Sequence, residues 1–498
     1  MQAPSLYKQC QKQIIRHLIA AWRIRCTENP FQILPSDVFQ ELVDYTLSLP
    51  CYELPEASKL SLLLVNYLLK RLDLSCFAVT LRSLEDRERQ INARETCSSL
   101  ISMLSSYTFP NLRSLHLPVE LIDMSAEVGN LIRGCANLET LHTATCFDLS
   151  NIENCRRLRV ARIHSSASHL YDFLQQRAYS LMNLEALEIF SACDPDPCFT
   201  SYEAVANILI SCRNIISLGL VDSSMAIDHV LNDKDSPFAF RLQRCFWGYG
   251  YNSYLNRSKK SVNYKLKSTN LIRNAACACP LVEELVMQVF QKGSLQPLNL
   301  LNRLTFLSLS FSQCDDNYLP EFISLISEIG HRIKHLSVEG RLQFPVNDIC
   351  SLCVNLESLK INGHACVKYP VESFPSLRNL KRFIASEIDQ KCFQFVLSNC
   401  PNITELFLGS VPYLNDLELK SILKTNSLAN LEILTLTTCN LTENGLSKLI
   451  KSAFKLKKFV LEFFKEPLVS VIKELNRDIN YSDYPQDFFH YKLNRCTF

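Results

Sequence analysis

The stretch LANLEILTL, residues 428–436, carries the pattern that decides the fold of this chain. Leu431 is followed by an apolar residue three positions later, Leu434, and by another two positions after that, Leu436. Side chains alternate between the two faces of a β-strand, so Leu434 and Leu436 would point to one side, with Leu431 at the bend that enters the strand. The stretch therefore predicts a short strand with one buried face.

The same spacing recurs from about residue 110 to about residue 460. Successive first anchors lie 20 to 31 residues apart, except for one gap between Ile215 and Val282, which we expect to contain a further repeat anchored on Leu242. The first anchors are Leu112, Leu138, Leu158, Leu184, Ile215, Val282, Leu304, Ile333, Leu356, Leu377, Ile403, Leu431 and Leu456. The period resembles that of leucine-rich repeats and predicts an α/β leucine-rich-repeat solenoid, a right-handed horseshoe of about 13 or 14 repeats with returning helices on its convex side.

Composition limits the possible classes of function. With 47% apolar residues and a formal charge of +2, the chain can bury a large core and carries no global field that would attract nucleic acid or an anionic membrane. The 22 cysteines are spread through the chain without an apolar, signal-like N-terminus, and no apolar run is long enough to span a membrane. We therefore expect a protein of the cytoplasm, the nucleus or both, with reduced cysteines.

Many cysteines occupy one position of the repeat. Six lie three residues before a first anchor, where a returning helix would close into the next strand: Cys135, Cys155, Cys212, Cys279, Cys353 and Cys400. This placement resembles the cysteine-containing leucine-rich repeats often found in ubiquitin-ligase receptors. Cys350 and Cys353 form one C-S-L-C pair with no second pair at matching distance, so no metal site is predicted.

Residues 1–66 lie outside the repeat and are expected to form a helical module. The predicted solenoid covers residues 67–465, with an irregular insertion at about 244–268, and residues 466–498 are expected to form a C-terminal cap or tail. The segment KRLDLSCF near residue 70 is a candidate first strand, which would dock the helical module directly onto the repeats.

The first helix carries a motif of known type. In PSLYKQCQKQIIRHLIAAW, the residues Ser5, Leu6, Cys10 and Ile14 match the BC-box of elongin-C-binding proteins, which requires a small residue, Leu, then Cys and a small aliphatic residue at intervals of four. By that resemblance, these four residues would bind elongin C, with Leu6 inserted into a pocket of the partner.

A second motif follows about twenty residues later. Leu34, Pro35, Val38 and Leu42 match a cullin-2 box, in which an apolar residue and Pro precede two apolar residues. The two boxes ahead of leucine-rich repeats resemble the VHL-box substrate receptors of cullin-RING ubiquitin ligases, similar in layout to the PRAME and Zyg families. The resemblance implies elongin C, elongin B and cullin-2 with its RING subunit as partners, and an unknown protein substrate.

Two other interpretations remain open. The segment LPSDVFQELVDYTL also resembles the start of an F-box, which would bind Skp1 and cullin-1, although no Trp follows where a third F-box helix usually carries one. Alternatively, the chain is a repeat scaffold outside any ligase, and the stripe of apolar residues in the first helix is the buried face of a cap.

No catalytic constellation is present in the sequence. The chain lacks G-x-S-x-G, a P-loop, a Rossmann glycine series and H-E-x-x-H, and it contains only 11 glycines. We therefore expect an adaptor without a cofactor, with catalysis residing in the E2 and RING subunits.

Substrate contacts are expected on the strand residues that point away from the buried anchors, and in the insertion, whose aromatic and basic residues suit peptide capture better than nucleic acid. The candidates are His335, Ser337, Glu339, Ser358, Lys360, Asn362, Glu405, Phe407, Trp247 and Tyr249.

Overall fold

The structure of the chain is a computed structural model. It describes residues 10, 13–14, 34–47, 57–77, 84–118, 124–143, 145, 147–164, 182–190, 202–219, 223–233, 239–248, 269–289, 291–311, 314, 316–368, 377–461, 470–472, 475 and 479–482. The chain divides into two compact units. The N-terminal unit comprises residues 1–246 and 250–260, and the C-terminal unit comprises residues 247–249 and 261–498.

In the N-terminal unit, each strand pairs in parallel with the next strand along the chain. The strands are β1 (Arg71–Asp73), β2 (Ser114–His116), β3 (Thr140–Thr143), β4 (Val160–His164), β5 (Ala186–Phe190), β6 (Ser217–Gly219) and β7 (Arg244–Trp247), whose last residue is counted with the C-terminal unit. The α-helices are α1 (Ser36–Leu47), α2 (Ala57–Leu64), α3 (Leu84–Leu104), α4 (Ser125–Arg133), α5 (Tyr202–Ser211) and α6 (Ser223–Asp233). Short 3-10 helices lie at Ser75–Phe77 and Leu149–Ile152.

The C-terminal unit repeats the same scheme with longer strands. The strands are β8 (Glu284–Gln288), β9 (Phe306–Phe311), β10 (His335–Pro345), β11 (Ser358–Cys366), β12 (Arg382–Ile388), β13 (Glu405–Asn415), β14 (Ile433–Asn440), β15 (Lys458–Leu461) and β16 (Asn480–Ser482), paired in parallel in chain order. The α-helices are α7 (Thr269–Ala278), α8 (Leu319–Ile329), α9 (Val346–Leu352), α10 (Gln390–Asn399), α11 (Asp416–Thr425) and α12 (Glu443–Ser452), with 3-10 helices at Gln296–Leu300, Asp316–Tyr318 and Gly330–Arg332.

This alternation of parallel strands and returning helices confirms the predicted α/β leucine-rich-repeat solenoid. Every predicted first anchor but one is buried, including Leu242 in the long gap. The exception is Leu377, which is only half-buried, and the buried anchor of β12 is Leu380, three residues later. The prediction was wrong there because Leu377 and Leu380 are both followed by an apolar residue three positions on.

The described part of the chain contains two strands beyond the predicted 13 or 14 repeats. β1 lies in the KRLDLSCF segment, which confirms that segment as the first strand. β16 lies within residues 466–498, where a cap or tail was expected, and it pairs with β15.

Asparagines tie several repeats to the one before. The residue preceding several first anchors is Asn, and its side-chain amide donates a hydrogen bond to a backbone carbonyl of the preceding repeat. These bonds run from Asn111 to Tyr67, Asn137 to Pro110, Asn183 to Arg156, Asn355 to His331, Asn379 to Val354, Asn402 to Arg378 and Asn430 to Pro401. The ladder satisfies carbonyls at the turns, where no strand partner is available.

The six repeat cysteines are buried, as a small apolar residue at the turn requires. Burial raises the pKa of Cys155, Cys212 and Cys353 to about 12, so these thiols stay protonated at neutral pH. They therefore act as packing groups.

Candidate functional site

The segment predicted to bind cullin-2 contains α1, whose apolar residues fall on one side. Phe39, Leu42, Val43 and Leu47 are buried, and the backbone N–H of Phe39 donates to the Pro35 carbonyl at 2.9 Å where the helix begins. The opposite side is exposed. The helix therefore has one face committed to its own unit and one face open.

The predicted cullin contacts divide between these two faces. Val38 is 45% exposed, Pro35 is exposed and Leu34 is half-buried, so these residues are accessible from outside. Leu42 is 4% exposed and belongs to the core. The inclusion of Leu42 among the docking residues is therefore corrected, because four residues advance about 40° beyond a full helical turn, which carries Leu42 from the exposed position of Val38 into the buried face.

The predicted elongin contacts lie partly outside the described residues. Ser5 and Leu6 are not described, whereas Cys10 and Ile14 lie in helical conformation and are both exposed. They are four residues apart, so they stand one above the other on a helix surface.

Gln40 joins α1 to the first strand of the sheet. In interior repeats, two successive N–H groups donate to one carbonyl of the preceding repeat, as Arg113 and Ser114 do to Lys70. At β1 the acceptor of the two N–H groups is a side-chain oxygen: Gln40 Oε1 accepts from Lys70 N–H at 3.0 Å and from Arg71 N–H at 2.9 Å. Gln40 Nε2 in turn donates to the Arg71 carbonyl at 2.9 Å. Through one side chain, α1 completes the hydrogen bonds of the edge strand.

Ion pairs reinforce this junction. Lys70 Nζ lies 3.0 Å from Asp37 Oδ1, and an Arg71 guanidinium nitrogen lies 2.6 Å from Asp44 Oδ2. The hydrogen bond and the positive charge of Lys70 lower the pKa of Asp37.

A cleft of about 430 Å³ opens between α1 and the first three strands. Its lining residues are Asp37, Gln40, Glu41, Lys70, Arg71, Arg113, Ser114, Glu139 and Thr140. The lining side chains carry both signs of charge, while most of the surface that they expose to the cleft is apolar.

Most of the predicted substrate contacts lie on the outward face of the sheet in the C-terminal unit. The half-buried ones are His335, Glu339, Ser358, Lys360, Asn362 and Glu405. Parallel pairing brings His335 beside Ser358, and Lys360 beside Ser337. Glu405 accepts two hydrogen bonds from the Arg382 guanidinium, at 2.8 and 2.9 Å.

Three predicted contacts are not accessible. Trp247 is buried because it is the third anchor of the repeat that starts at Leu242 and Cys245, and so belongs to the core. Ser337 is short and buried between neighbouring strands, and Phe407 is buried although it points away from the anchors Leu406 and Leu408. The expected exposure is therefore wrong for these residues. Tyr249 and most of the insertion lie outside the described residues.

A row of polar residues in the N-terminal unit was not predicted. Asp73, His116, His142, Arg162 and Glu188 occupy the same outward position in five successive strands, and each is in register with the next. We call these five residues the polar row. The alternation rule that selected outward positions in the later repeats would have found them.

The polar row is a chain of short contacts. His116 Nδ1 lies 3.3 Å from Asp73 Oδ1, and the ring centroids of His116 and His142 are 5.1 Å apart, edge to face. Arg162 Nε lies 3.0 Å from Glu188 Oε2, with the Glu188 side chain largely buried. The row can present hydrogen-bond donors, aromatic edges and a charge pair to a bound polypeptide.

Burial, hydrogen bonds and nearby charges shift the pKa values of several residues in the polar row. Burial, with the nearby charges of Arg162 and His116, lowers the pKa of His142 to about 4, so its imidazole is neutral at physiological pH. Burial raises the pKa of Glu188, although Arg162 opposes this shift. Burial would also raise the pKa of Asp73, but hydrogen bonds from His116 and Ser75 outweigh it and lower that pKa.

Among the described residues, no cluster of three His, Cys, Asp or Glu side chains could hold a metal ion. No helix in the described portion has the length and hydrophobicity that crossing a bilayer requires.

Comparison with known proteins finds similar folds. No protein-family profile matches the chain, and no curated protein does. Among solved structures, internalin inlF from Listeria monocytogenes is 15% identical with a TM-score of 0.32, covering 78% of this chain and 82% of that one. Rad7 in its complex with Elc1 from yeast is 16% identical with a TM-score of 0.41, covering 89% of this chain and 96% of that one. The structure of the TLR13–ssRNA13 complex is 15% identical with a TM-score of 0.36, covering 71% of this chain and 47% of that one.

Proposed function

We propose that this chain is the substrate-recognition subunit of a cullin-RING ubiquitin ligase of the cullin-2 class. In this proposal the first helix binds elongin C, which carries elongin B, and the exposed side of α1 contacts cullin-2. The repeats bind the protein substrate. The chain then acts as an adaptor in the cytoplasm, the nucleus or both, and the E2 and RING subunits perform the chemistry.

One observation supports the proposal most directly. Cys10 and Ile14, at BC-box spacing, are exposed and in helical conformation, and α1 is fastened to β1 through Gln40. Because ubiquitin transfer depends on holding a substrate lysine close to the E2, the attachment of α1 to the first strand of the repeats favours the reaction.

The proposal predicts which partners the chain recruits. The chain would be co-expressed with elongins B and C, cullin-2 and Skp1, and each partner that co-purifies would be quantified. Changing Leu6→Ser together with Cys10→Asp should abolish elongin recovery, since loss of a buried anchor at an interface costs about 2–4 kcal/mol. The melting temperature of the repeats should stay nearly unchanged.

Leu417→Ser provides a matched control, because Leu417 is an exposed leucine outside both boxes. It should leave elongin recovery unchanged. Recovery of Skp1 in place of elongins would favour the F-box interpretation. If no adaptor is recovered and the Leu6 and Cys10 changes only lower the melting temperature, the chain is a scaffold and the ligase proposal fails.

A further inference from the structure

Lysine is absent from one long segment of the chain. Residues 71–233 contain no lysine but 13 arginines, whereas the other 335 residues contain 25 lysines and 14 arginines, which brings the basic residues to 52. The segment begins at the first residue of β1 and ends at the last residue of α6. It therefore spans most of the N-terminal unit, and it is rich in positive charge although it has no lysine.

The repeat geometry does not require arginine in place of lysine. In several repeats the residue directly after the first anchor is basic, and it pairs with a glutamate at the same position of a neighbouring repeat. These pairs are Arg113–Glu139 at 3.7 Å and Arg159–Glu185 at 2.7 Å in the N-terminal unit, and Lys381–Glu357 at 3.1 Å and Lys457–Glu432 at 2.7 Å in the C-terminal unit. The same position with the same kind of partner thus accepts either basic residue.

Exposure to solvent does not separate the two residue types either. The exposed fraction of the side chain is 59% at Arg113 and 56% at Arg159, against 60% at Lys381 and 71% at Lys457. A lysine at position 113 or 159 would therefore lie at the surface with a carboxylate within reach. Packing and pairing leave the absence of lysine unexplained, and the difference that remains is the chemistry of the lysine amine.

The lysine amine is the acceptor in the reaction of a ubiquitin ligase. The neutral ε-amine attacks the carbonyl of the thioester that joins the C-terminus of ubiquitin to a cysteine of the E2. An amide C–N bond forms, the C–S bond breaks, the E2 cysteine leaves as a thiolate, and the amine gives up a proton. A guanidinium stays protonated at neutral pH, so an arginine keeps its charge and its ion pairs but does not accept ubiquitin.

Attachment to the cullin would make the receptor itself an available acceptor. α1, which carries the predicted cullin contacts, belongs to the N-terminal unit and is bonded to β1 through Gln40. In the ligase proposed above, this unit stays attached while a substrate binds and leaves. A group held near the E2 has a high effective concentration, so exposed lysines on this unit would compete with the lysines of the substrate.

We propose that the lysine-free segment protects the N-terminal unit from ubiquitination by the ligase in which it serves. The inference rests on the proposed ligase function and adds a property of this chain to it. The arginines of the segment supply surface charge in a form that the E2 cannot modify, so ubiquitin passes to the substrate.

Arginine-to-lysine variants test the proposal. Arg113→Lys and Arg159→Lys would be combined in the full chain, because lysine already fills the same repeat position at Lys381 and Lys457 with its ion pair formed. Parent and variant would be assembled with elongins B and C, cullin-2 and its RING subunit, and supplied with E1, E2, ubiquitin and ATP. The ubiquitinated fraction of this chain, measured by mass spectrometry, should rise about tenfold with new sites at positions 113 and 159, because both amines would be held near the E2.

Two further variants serve as matched controls. Arg113→Gln with Arg159→Gln removes the same ion pairs without supplying an amine, so its ubiquitination should equal that of the parent. Arg382→Lys adds a lysine on β12 directly after Lys381, where lysine already occurs, and should leave the ubiquitinated fraction nearly unchanged. Melting temperatures of all variants show whether the fold is kept.

The outcomes distinguish this inference from the ligase proposal. Recovery of elongins and cullin-2 with the parent chain is scored first, and its absence is a failure of the ligase proposal, with which this inference also falls. If the ligase assembles but positions 113 and 159 stay unmodified, this inference alone is overturned. Equal modification at positions 113, 159 and 382 also overturns it, because lysine would then be accepted regardless of the segment.

Discussion

Gln40 Oε1 and the backbone N–H of Arg71 are 2.9 Å apart, and this hydrogen bond stands where an interior strand would contact the preceding repeat. The same oxygen accepts from Lys70 N–H at 3.0 Å. The Gln40 side chain therefore takes the place of a backbone carbonyl, and it accepts hydrogen bonds from the N–H groups of Lys70 and Arg71 at the start of the edge strand. Unpaired edge strands favour edge-to-edge association, so α1 also protects this edge.

Removal of the Gln40 side chain should loosen the first repeat. Gln40→Ala leaves two backbone donors without their acceptor, which should destabilise the junction by about 1–3 kcal/mol. Hydrogen exchange of residues 69–73 should accelerate, and the urea midpoint of the N-terminal unit should fall. The control Glu41→Ala, on the exposed side of α1, should change stability by less than about 0.5 kcal/mol. Equal effects of the two changes would contradict the assigned role.

The two faces of α1 should respond differently to mutation. Val38→Asp, on the open face, should reduce cullin-2 recovery while elongin recovery and the melting temperature stay unchanged. Leu42→Ala removes a buried side chain and should destabilise the protein by about 2–5 kcal/mol. Thermal melts and co-purification from the same preparations check both effects. A Val38→Asp variant that binds cullin-2 normally would remove α1 from the cullin interface.

Acidification should destabilise the N-terminal unit through His142. Its pKa is about 4 in the folded protein, below the 6.5 of an ordinary histidine. As the pH falls from about 6.5 towards 4, the unfolded chain binds a proton that the folded chain does not bind, so stability is present above 6.5 and is lost across that window. Melting temperatures of the parent and of His142→Gln, measured from pH 7 to 4.5, should converge as the pH falls.

His331→Gln serves as the control for this measurement, because His331 is exposed. It should leave the slope of melting temperature against pH unchanged. If His142→Gln also leaves that slope unchanged, His142 does not carry the effect.

The charge pair of the polar row should show strong coupling. Arg162→Met leaves the largely buried Glu188 carboxylate without its close partner, and loss of one member of a buried pair costs about 3–5 kcal/mol. The double change Arg162→Met with Glu188→Gln removes the charge as well and should recover much of that loss. Urea unfolding at pH 7 of the two single variants and the double variant measures the coupling. Additive effects would mean that the two side chains do not stabilise each other.

Sequence periodicity was sufficient for the repeat architecture because anchor positions are set by local geometry. The bend and the alternation of each strand fix which residues are buried, so Leu242 could be placed even in a segment of unusual composition. The same rule, extended by one anchor, assigns Trp247 to the core. Its aromatic neighbours in the sequence had suggested a binding role. The error at Leu377 came from a second apolar residue in the same pattern.

Contacts between distant segments were beyond this reasoning. Gln40 is a polar residue on the packed side of an apolar helix, and only its approach to β1, thirty residues later, explains that position. The outward direction of Phe407 follows from alternation, but alternation alone does not predict that Phe407 is buried. In the polar row, burial lowers the pKa of His142, and the charge of Arg162 on the neighbouring strand lowers it further.

The asparagine ladder bears on how such a chain can change length during evolution. Each amide reaches back by one repeat only, as Asn402 does to the Arg378 carbonyl and Asn430 to the Pro401 carbonyl. Duplication or loss of one whole repeat would therefore recreate every such bond with the new neighbour. A gain or loss of part of a repeat would break the bond at that site. Genetic variation in length should accordingly be tolerated in steps of complete repeats, and the width of the sheet would change by one strand at a time.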